Sequence, residues 1–335
     1  MDKGESIVQF RWWWNNIGNA FIDLGTNYVL NFIGKNKKWT IYQVSSSLLN
    51  LVLVQNMFSR KLSKKIPLRV RRKIPVRLRR AKIFRAGTGR ETLPLAKDHL
   101  TILKYIDAKY YVFSGMLLDR YILNIIREEI ITASKRGKIV LLGVGGEDYE
   151  SDERFVREFL RKIKPYVMVT RDKIAYDLFG KIAEYAYNGI DMAFYVSKLY
   201  NPPKINEKYI TFCFDKLPEP SINTQLKIIR LHHSLRPDLD RTVLKKYSSE
   251  ENIFISDNPF DYLTLYSNAI ETHSDRVHAC VASLAYGVPC RIYYKSARSK
   301  LFYQLGLNPD DKMEIEKRAL EEKLSTQLKF LNQVL

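Results

Sequence analysis

The sequence predicts an α/β protein of two Rossmann-like domains facing across a cleft, closed by a C-terminal amphipathic helix. Three observations carry that expectation. Short β-rich runs alternate with helical patterns over the first 195 residues, a proline- and asparagine-rich stretch interrupts them near residue 200, and the alternation then resumes. A chain of 335 residues suits two cores at roughly 100 to 200 residues per domain. With 46% hydrophobic and 27% charged residues, the composition is that of a folded globular protein rather than a disordered one.

In chain order, strands are expected at Ile7 to Trp12, Trp39 to Val44, Tyr110 to Ser114, Lys138 to Gly143 and Tyr166 to Thr170. Helical spacing lies between them, at Asn19 to Phe32, Asp119 to Ser134, Asp152 to Arg161 and Asp172 to Leu178, several opening on an Asn or Asp able to cap free N–H groups. Residues 1–197 form the first domain, with a basic insertion at 60–90, and 198–208 form the linker. The second domain, 209–309, begins with the strand Tyr209 to Phe214. Gln225 to His233 reads as strand or helix, and short strands follow at Ile253 to Ser256, Ala269 to Thr272 and Arg291 to Tyr294. The last stretch, 310–335, is rich in Glu, Lys, Leu and Gln with apolar residues at helical spacing, which predicts one amphipathic helix packed on the body.

Several function classes drop out at once. Three cysteines, Cys213, Cys280 and Cys290, show no ligand spacing, so a disulfide framework or structural zinc is not indicated. The histidines show neither HxH nor HExxH spacing, so no metal is expected. Met1 to Gln9 lacks the features of a signal peptide, and the uncharged run Trp39 to Ser59 is interrupted by Gln, Ser and Asn, which favours a strand and a buried helix over a membrane span. A cytoplasmic location is expected.

The formal charge of +19 is concentrated, because the fourteen Lys and Arg between Arg60 and Arg90 stand without a single Asp or Glu. Within that segment Lys65-Ile-Pro-Leu-Arg-Val-Arg-Arg is followed directly by Lys73-Ile-Pro-Val-Arg-Leu-Arg-Arg. Pro67 and Pro75 oppose a helix, while the alternating apolar residues suit an extended ribbon with one apolar and one cationic face. Arg69, Arg71, Arg72, Lys73, Arg77, Arg79 and Arg80 are therefore candidates for contact with an anionic membrane surface or another polyanion. A solvated surface loop is the plainer reading. No aromatic-interleaved signature supports nucleic acid.

Chemistry is expected at the carboxyl ends of the strands, where ligands bind in open α/β sheets. Asn16-Ile-Gly-Asn places a helix N-terminus toward the cleft, making Asn16 and Gly18 candidates for contact with an anion. Arg171 follows a strand and precedes a helix; an ordinary cap by Asp172 with Arg171 on the surface is the competing reading. Arg276 and His278 stand two apart before an apolar run, pairing a cation that can clamp an anion with a group that moves protons near neutral pH.

These segments resemble the polysaccharide pyruvyl transferases. Asn16-Ile-Gly-Asn is similar to that family's Asn-x-Gly-Asp turn, with Asn19 where Asp is usual, and Tyr111-Val-Phe-Ser-Gly to its strand and glycine-rich loop. Val169-Thr-Arg-Asp, Asp191-Met-Ala-Phe, and Asp275-Arg-Val-His-Ala with Ala285-Tyr-Gly-Val-Pro resemble its remaining blocks in order, together covering most of residues 7 to 307. The resemblance implies a GT-B-like pair of domains and transfer of a pyruvyl group from phosphoenolpyruvate to two hydroxyls of a glycan sugar, forming a ketal. No cofactor is implied beyond that donor, and a lipid-linked oligosaccharide acceptor would suit a protein peripheral on the inner face of the membrane. It also implies catalytic roles for His278 and Arg171 and a donor contact for Arg276. The family's donor-binding lysine has no direct counterpart: Arg298 lies nearest by spacing, with Lys295 and Lys300 as alternatives. Two other readings compete, a GT-B glycosyltransferase using a nucleotide sugar and a non-catalytic basic adaptor for membrane or nucleic acid.

Overall fold

The computed structural model describes residues 5–12, 16–45, 102–233 and 251–335. The basic repeat, with Arg69, Arg71, Arg72, Lys73, Arg77, Arg79 and Arg80, lies outside the described residues.

The first half contains β1 (Ser6–Arg11), α1 (Ile17–Lys37), β2 (Thr40–Ser45), β3 (Tyr110–Ser114), α2 (Arg120–Ser134), β4 (Lys138–Val144), α3 (Tyr149–Ile163), β5 (Val167–Thr170), α4 (Lys173–Phe179) and β6 (Tyr185–Asn188). Its six strands are all parallel in the order β2-β1-β3-β4-β5-β6. β3 to β5 read as unbroken apolar runs because helices cover both faces of a parallel sheet. α1 to α4 open on Asn16, Asp119, Asp148 and Asp172, each side chain accepting a free N–H of the first turn. β6 was not expected. Its Tyr-Ala-Tyr-Asn sequence is half exposed at the sheet edge, so no buried run announces it.

After α5 (Val196–Leu199) an extended stretch leads to β7 (Tyr209–Cys213), β8 (Lys227–Leu231), β9 (Ile253–Phe254), α6 (Pro259–Asn268), β10 (Thr272–Ser274), α7 (Val277–Ala285) and β11 (Cys290–Ile292). These strands form a second parallel sheet, β11-β10-β7-β8-β9. The strand order therefore reverses between β7 and β10, and the crevice beyond their carboxyl ends is the switch point of the sheet. Gln225 to His233 resolves as a strand, and the strand expected at Ala269 to Thr272 is shifted to Thr272–Ser274.

The final helix, α8 (Lys317–Val334), begins later than the expected Asp310, because Met313 and Cys290 instead exchange backbone hydrogen bonds at 2.7 and 2.9 Å. Leu320, Leu324, Gln327 and Leu331 are its buried positions, spaced three or four apart. The three leucines contribute roughly 5–9 kcal/mol at about 1.5–3 kcal/mol each. That burial ties the C-terminus to the first half: Tyr195 Oη donates to Leu324 O at 2.9 Å, and Tyr166 Oη to Val334 O at 3.0 Å. One apolar cluster runs through α1, the turn Met192–Tyr195, α7 and α8, so the two sheets share a core.

Candidate active site

β5 ends at Thr170, which puts Arg171 just beyond a carboxyl end, and Asp172 caps α4 by accepting the Ala175 N–H at 2.8 Å. The surface reading of Arg171 fails. Its guanidinium turns inward over Gly145, where a Cβ would come within 2.6 Å of Nε, and the residue is 1% exposed. Arg171 Nη1 donates to Asp191 Oδ2 at 2.9 Å, while Nη2 is buried with no hydrogen-bond partner.

Asp191 lies just past β6 and is the hub of the site. Its Oδ1 accepts the Ala193 N–H at 2.9 Å, and its Oδ2, already bonded to Arg171, lies 3.4 Å from His278 Nε2. Burial would raise this carboxyl, but His278 and Arg171 outweigh it and hold Asp191 well below the carboxylate range. From α8, Gln327 Oε1 accepts the neighbouring Ile190 N–H at 2.7 Å and fixes the turn.

The second half contributes from the switch point. Arg276, just past β10, grips Asp215, just past β7, through Nε at 2.7 Å and Nη2 at 2.6 Å. His232 Nδ1 lies 3.0 Å from the other Asp215 oxygen. Burial pushes Asp215 up, yet Arg276 and His232 hold it well below its ordinary range. Asp275 shapes the loop after β7: its carboxylate accepts the N–H groups of Asp215, Lys216 and Leu217 at 3.2, 2.5 and 2.7 Å.

His278 opens α7 and packs against α1 across the halves. A Cβ on Gly18 would lie 3.0 Å from both Cβ and Nδ1 of His278, so the bare glycine provides the room. Asn16 and Gly18 line the cleft, but Asn16 Oδ1 accepts the Gly18 N–H at 3.2 Å, so that donor is not turned to a ligand. Burial lowers His278 below its ordinary value; Asp191 opposes this, and the Arg298 and Arg171 cations add to it.

Arg298 reaches the same cleft. Burial, then the repulsion of Arg171, lowers it to about 10. Lys295 and Lys300 do not arrive there: Lys295 is exposed and ion-paired with Asp310, and Lys300 is exposed outside the lining. The cleft between the halves is lined by Asn16, Gly18, Lys216, Arg276, His278 and Arg298 among others, around a cavity of only about 10 Å³. Arg171 and His278, from opposite halves, meet on Asp191; of the three only His278 lines the cavity, with the Arg171–Asp191 pair buried behind it.

Sequence reasoning passed over Asp191 as a site residue, along with Asp215, Lys216, His232, His233 and Asp275. Asp215 and Lys216 carried one usable signal, their place directly after a strand. His233 carried none, since its role depends on burial: Nε2 lies 2.7 Å from Tyr266 Oη, and desolvation lowers its pKa to about 3. Among the described residues no cluster of three or more His, Cys, Asp or Glu could hold a metal.

Two parallel Rossmann-like sheets with a cleft between them and a C-terminal helix returning to the first half define a GT-B-like protein. Solved structures share that fold. Over 98% of this chain and 90% of the other, the Staphylococcus aureus MnaA–UDP co-structure superposes with a TM-score of 0.54 at 10% identity. A UDP-N-acetylglucosamine 2-epimerase does so with a TM-score of 0.50 at 10% identity, over 99% and 91%. No curated protein matches the sequence. The family profile of the polysaccharide pyruvyl transferases matches residues 16–294, and the chain belongs to that family. Its members are transferases that act on polysaccharide. Among the described residues no helix is long and apolar enough to cross a membrane.

Proposed function

We propose that the cleft transfers the pyruvyl group of phosphoenolpyruvate to two hydroxyls of one sugar in a glycan or lipid-linked oligosaccharide, forming a ketal and releasing inorganic phosphate. The observation that carries this reading is the meeting of Arg171 and His278, contributed by opposite halves, on Asp191 beside further cations. The unpartnered Nη2 of Arg171 is a buried donor suited to a carboxylate or phosphate oxygen. Arg276, held rigidly by Asp215, supplies a second guanidinium.

The chemistry follows from the charges. A donor anion raises the depressed pKa of His278, which then delivers its proton to the donor's methylene carbon and turns it into a methyl. The first sugar hydroxyl adds to the adjacent carbon and loses its proton. The bond from that carbon to the phosphate oxygen breaks, and the second hydroxyl adds and loses its proton in turn. Of the two protons released, one restores His278 and the other goes to the departing phosphate. The carboxylate stays on the ketal, so guanidinium groups must hold it throughout.

Calorimetric titration with phosphoenolpyruvate and with a uridine diphosphate sugar, followed by phosphate release in the presence of glycan acceptors, tests the reading. Phosphoenolpyruvate should bind, and phosphate release should require an acceptor. Binding of the nucleotide sugar alone would replace pyruvyl transfer with sugar transfer. The location we propose, on the inner face of an anionic membrane through segment 60–90, suits a lipid-linked acceptor.

A further inference from the structure

We propose that Lys216 is the residue that holds the donor's phosphate, a role nothing in the sequence around the histidine motif assigns to it. This rests on the reading of the cleft as a donor site and names the group that grips the leaving end.

The charges in the cleft are of two kinds. Arg171 and Arg276 are each ion-paired to a buried carboxylate, Asp191 at 2.9 Å and Asp215 at 2.6 Å. Among the described residues, Lys216 and Arg298 form no salt bridge, Glu147 attracting both only from a longer range, and Arg298 Nε is buried without a hydrogen-bond partner. A dianion gains most from cations that are not already neutralised, so phosphate belongs with the second pair and the donor's single-charged carboxylate with the first.

Position agrees with charge. Arg171 and His278 are at the floor, whereas Lys216 extends from the mouth, with much of its side chain in solvent and its Nζ 4.1 Å from the centre of the Tyr294 ring. Inorganic phosphate must leave to solvent, so the phosphate end faces the mouth while the methylene carbon faces His278. The backbone of Lys216 is fixed by the Asp275 carboxylate, which accepts its N–H at 2.5 Å and that of Leu217 at 2.7 Å. Partial desolvation and the repulsion of Arg298 and Arg276 lower the pKa of Lys216. Each of those repulsions is relieved when a phosphate lies between the cations. Lys216 thus stands in the loop after β7, on the opposite side of the switch point from Arg276 and His278, which follow β10, so the two segments flank the donor from both sides.

Lys216→Gln and Lys216→Arg test the assignment by calorimetry with three probes: phosphoenolpyruvate, inorganic phosphate and pyruvate. In Lys216→Gln, affinity for phosphoenolpyruvate and for phosphate should fall about tenfold or more, while that for pyruvate, which lacks the phosphate, stays within about twofold. Lys216→Arg should recover most of the loss, since it restores the charge. Equal loss for pyruvate, or no loss for phosphate, overturns the assignment. If the wild type binds phosphate through Lys216 but not phosphoenolpyruvate, the lysine keeps its role and the pyruvyl donor is refuted. If the wild type binds neither, the assignment falls as well.

Discussion

Replacing Asp191 by Asn removes the charge on which Arg171 and His278 converge while keeping the side-chain volume. Arg171 and Asp191 are 1% and 0% exposed, so the guanidinium left behind remains buried without a counter-charge. Breaking a buried ion pair from one side costs about 3–5 kcal/mol, against about 0–1 kcal/mol for exposed pairs such as Arg154–Glu158. At roughly 2 °C per kcal/mol for a chain of this size, the midpoint of thermal unfolding drops by about 6–10 °C. Donor affinity should move the other way. With the carboxylate gone the cleft is more positive, and Asp191→Asn should bind phosphoenolpyruvate more tightly than the wild type does. Circular dichroism on heating and calorimetric titration read the two effects separately. A variant within about 1 kcal/mol of wild-type stability would show that water reaches Arg171, and the account of a sealed floor would be wrong.

The other expectations are as direct. His278→Ala should lower turnover about a hundredfold or more while reducing donor affinity only to the level the wild type shows at high pH, and full activity would remove His278 from the mechanism. Burial keeps His278 neutral at pH 7 in the free protein, and a bound anion raises its pKa, so donor binding takes up a proton and weakens as pH rises above neutral. Calorimetry in buffers of unlike ionisation heat measures that uptake, and its survival in His278→Gln would assign the proton elsewhere. Gly145→Ala places a methyl within 2.6 Å of Arg171 Nε and should weaken donor binding about tenfold, with unchanged affinity counting against the placement of Arg171. Deleting Lys61 to Arg85 should abolish co-sedimentation with anionic liposomes while sparing phosphoenolpyruvate binding. If intact and shortened proteins sediment equally, the membrane role of the segment is lost.

The parallel sheets were legible because their central strands, such as Lys138–Val144, carry unbroken apolar runs between helices with Asn or Asp caps. β6 escaped because an edge strand with half-exposed tyrosines has no such run. Asp191 stood in one of the family-like blocks, but without β6 nothing placed it at a strand end beside Arg171, so it drew no site role. Arg171 could be picked out because a cation directly after a strand is informative by itself, and Arg276 and His278 because they stand two apart before an apolar run. Lys216 stands at an equally telling position, but a lysine is so common on surfaces that only its neighbours mark it. Those neighbours, Arg298, Tyr294 and Arg276, come from segments 60 or more residues away, and no local window contains them. The choice among Lys295, Arg298 and Lys300 likewise needed coordinates, since it depends on which side chain the turn from Ala297 to Leu305 directs inward.

The cavity of about 10 Å³ has room for roughly one water molecule, far less than a phosphorylated three-carbon acid requires. Space can be made in two ways: the halves separate, or side chains withdraw. Separation would expose the shared apolar cluster that joins α1, α7 and α8, and would break the bond from Ile17 N–H to His233 O at 2.9 Å. Withdrawal is far cheaper. Lys216 is exposed, so it can move without disturbing the core, and Arg298 is half-buried. Their mutual repulsion, which lowers the Lys216 pKa, favours that movement. The deep pair Arg171–Asp191 and the glycine-seated His278 do not need to move. On the proposed function, the site therefore divides into a buried floor held by the Arg171–Asp191 pair, where His278 would deliver the proton, and a more exposed cationic rim where the donor would enter and phosphate would leave.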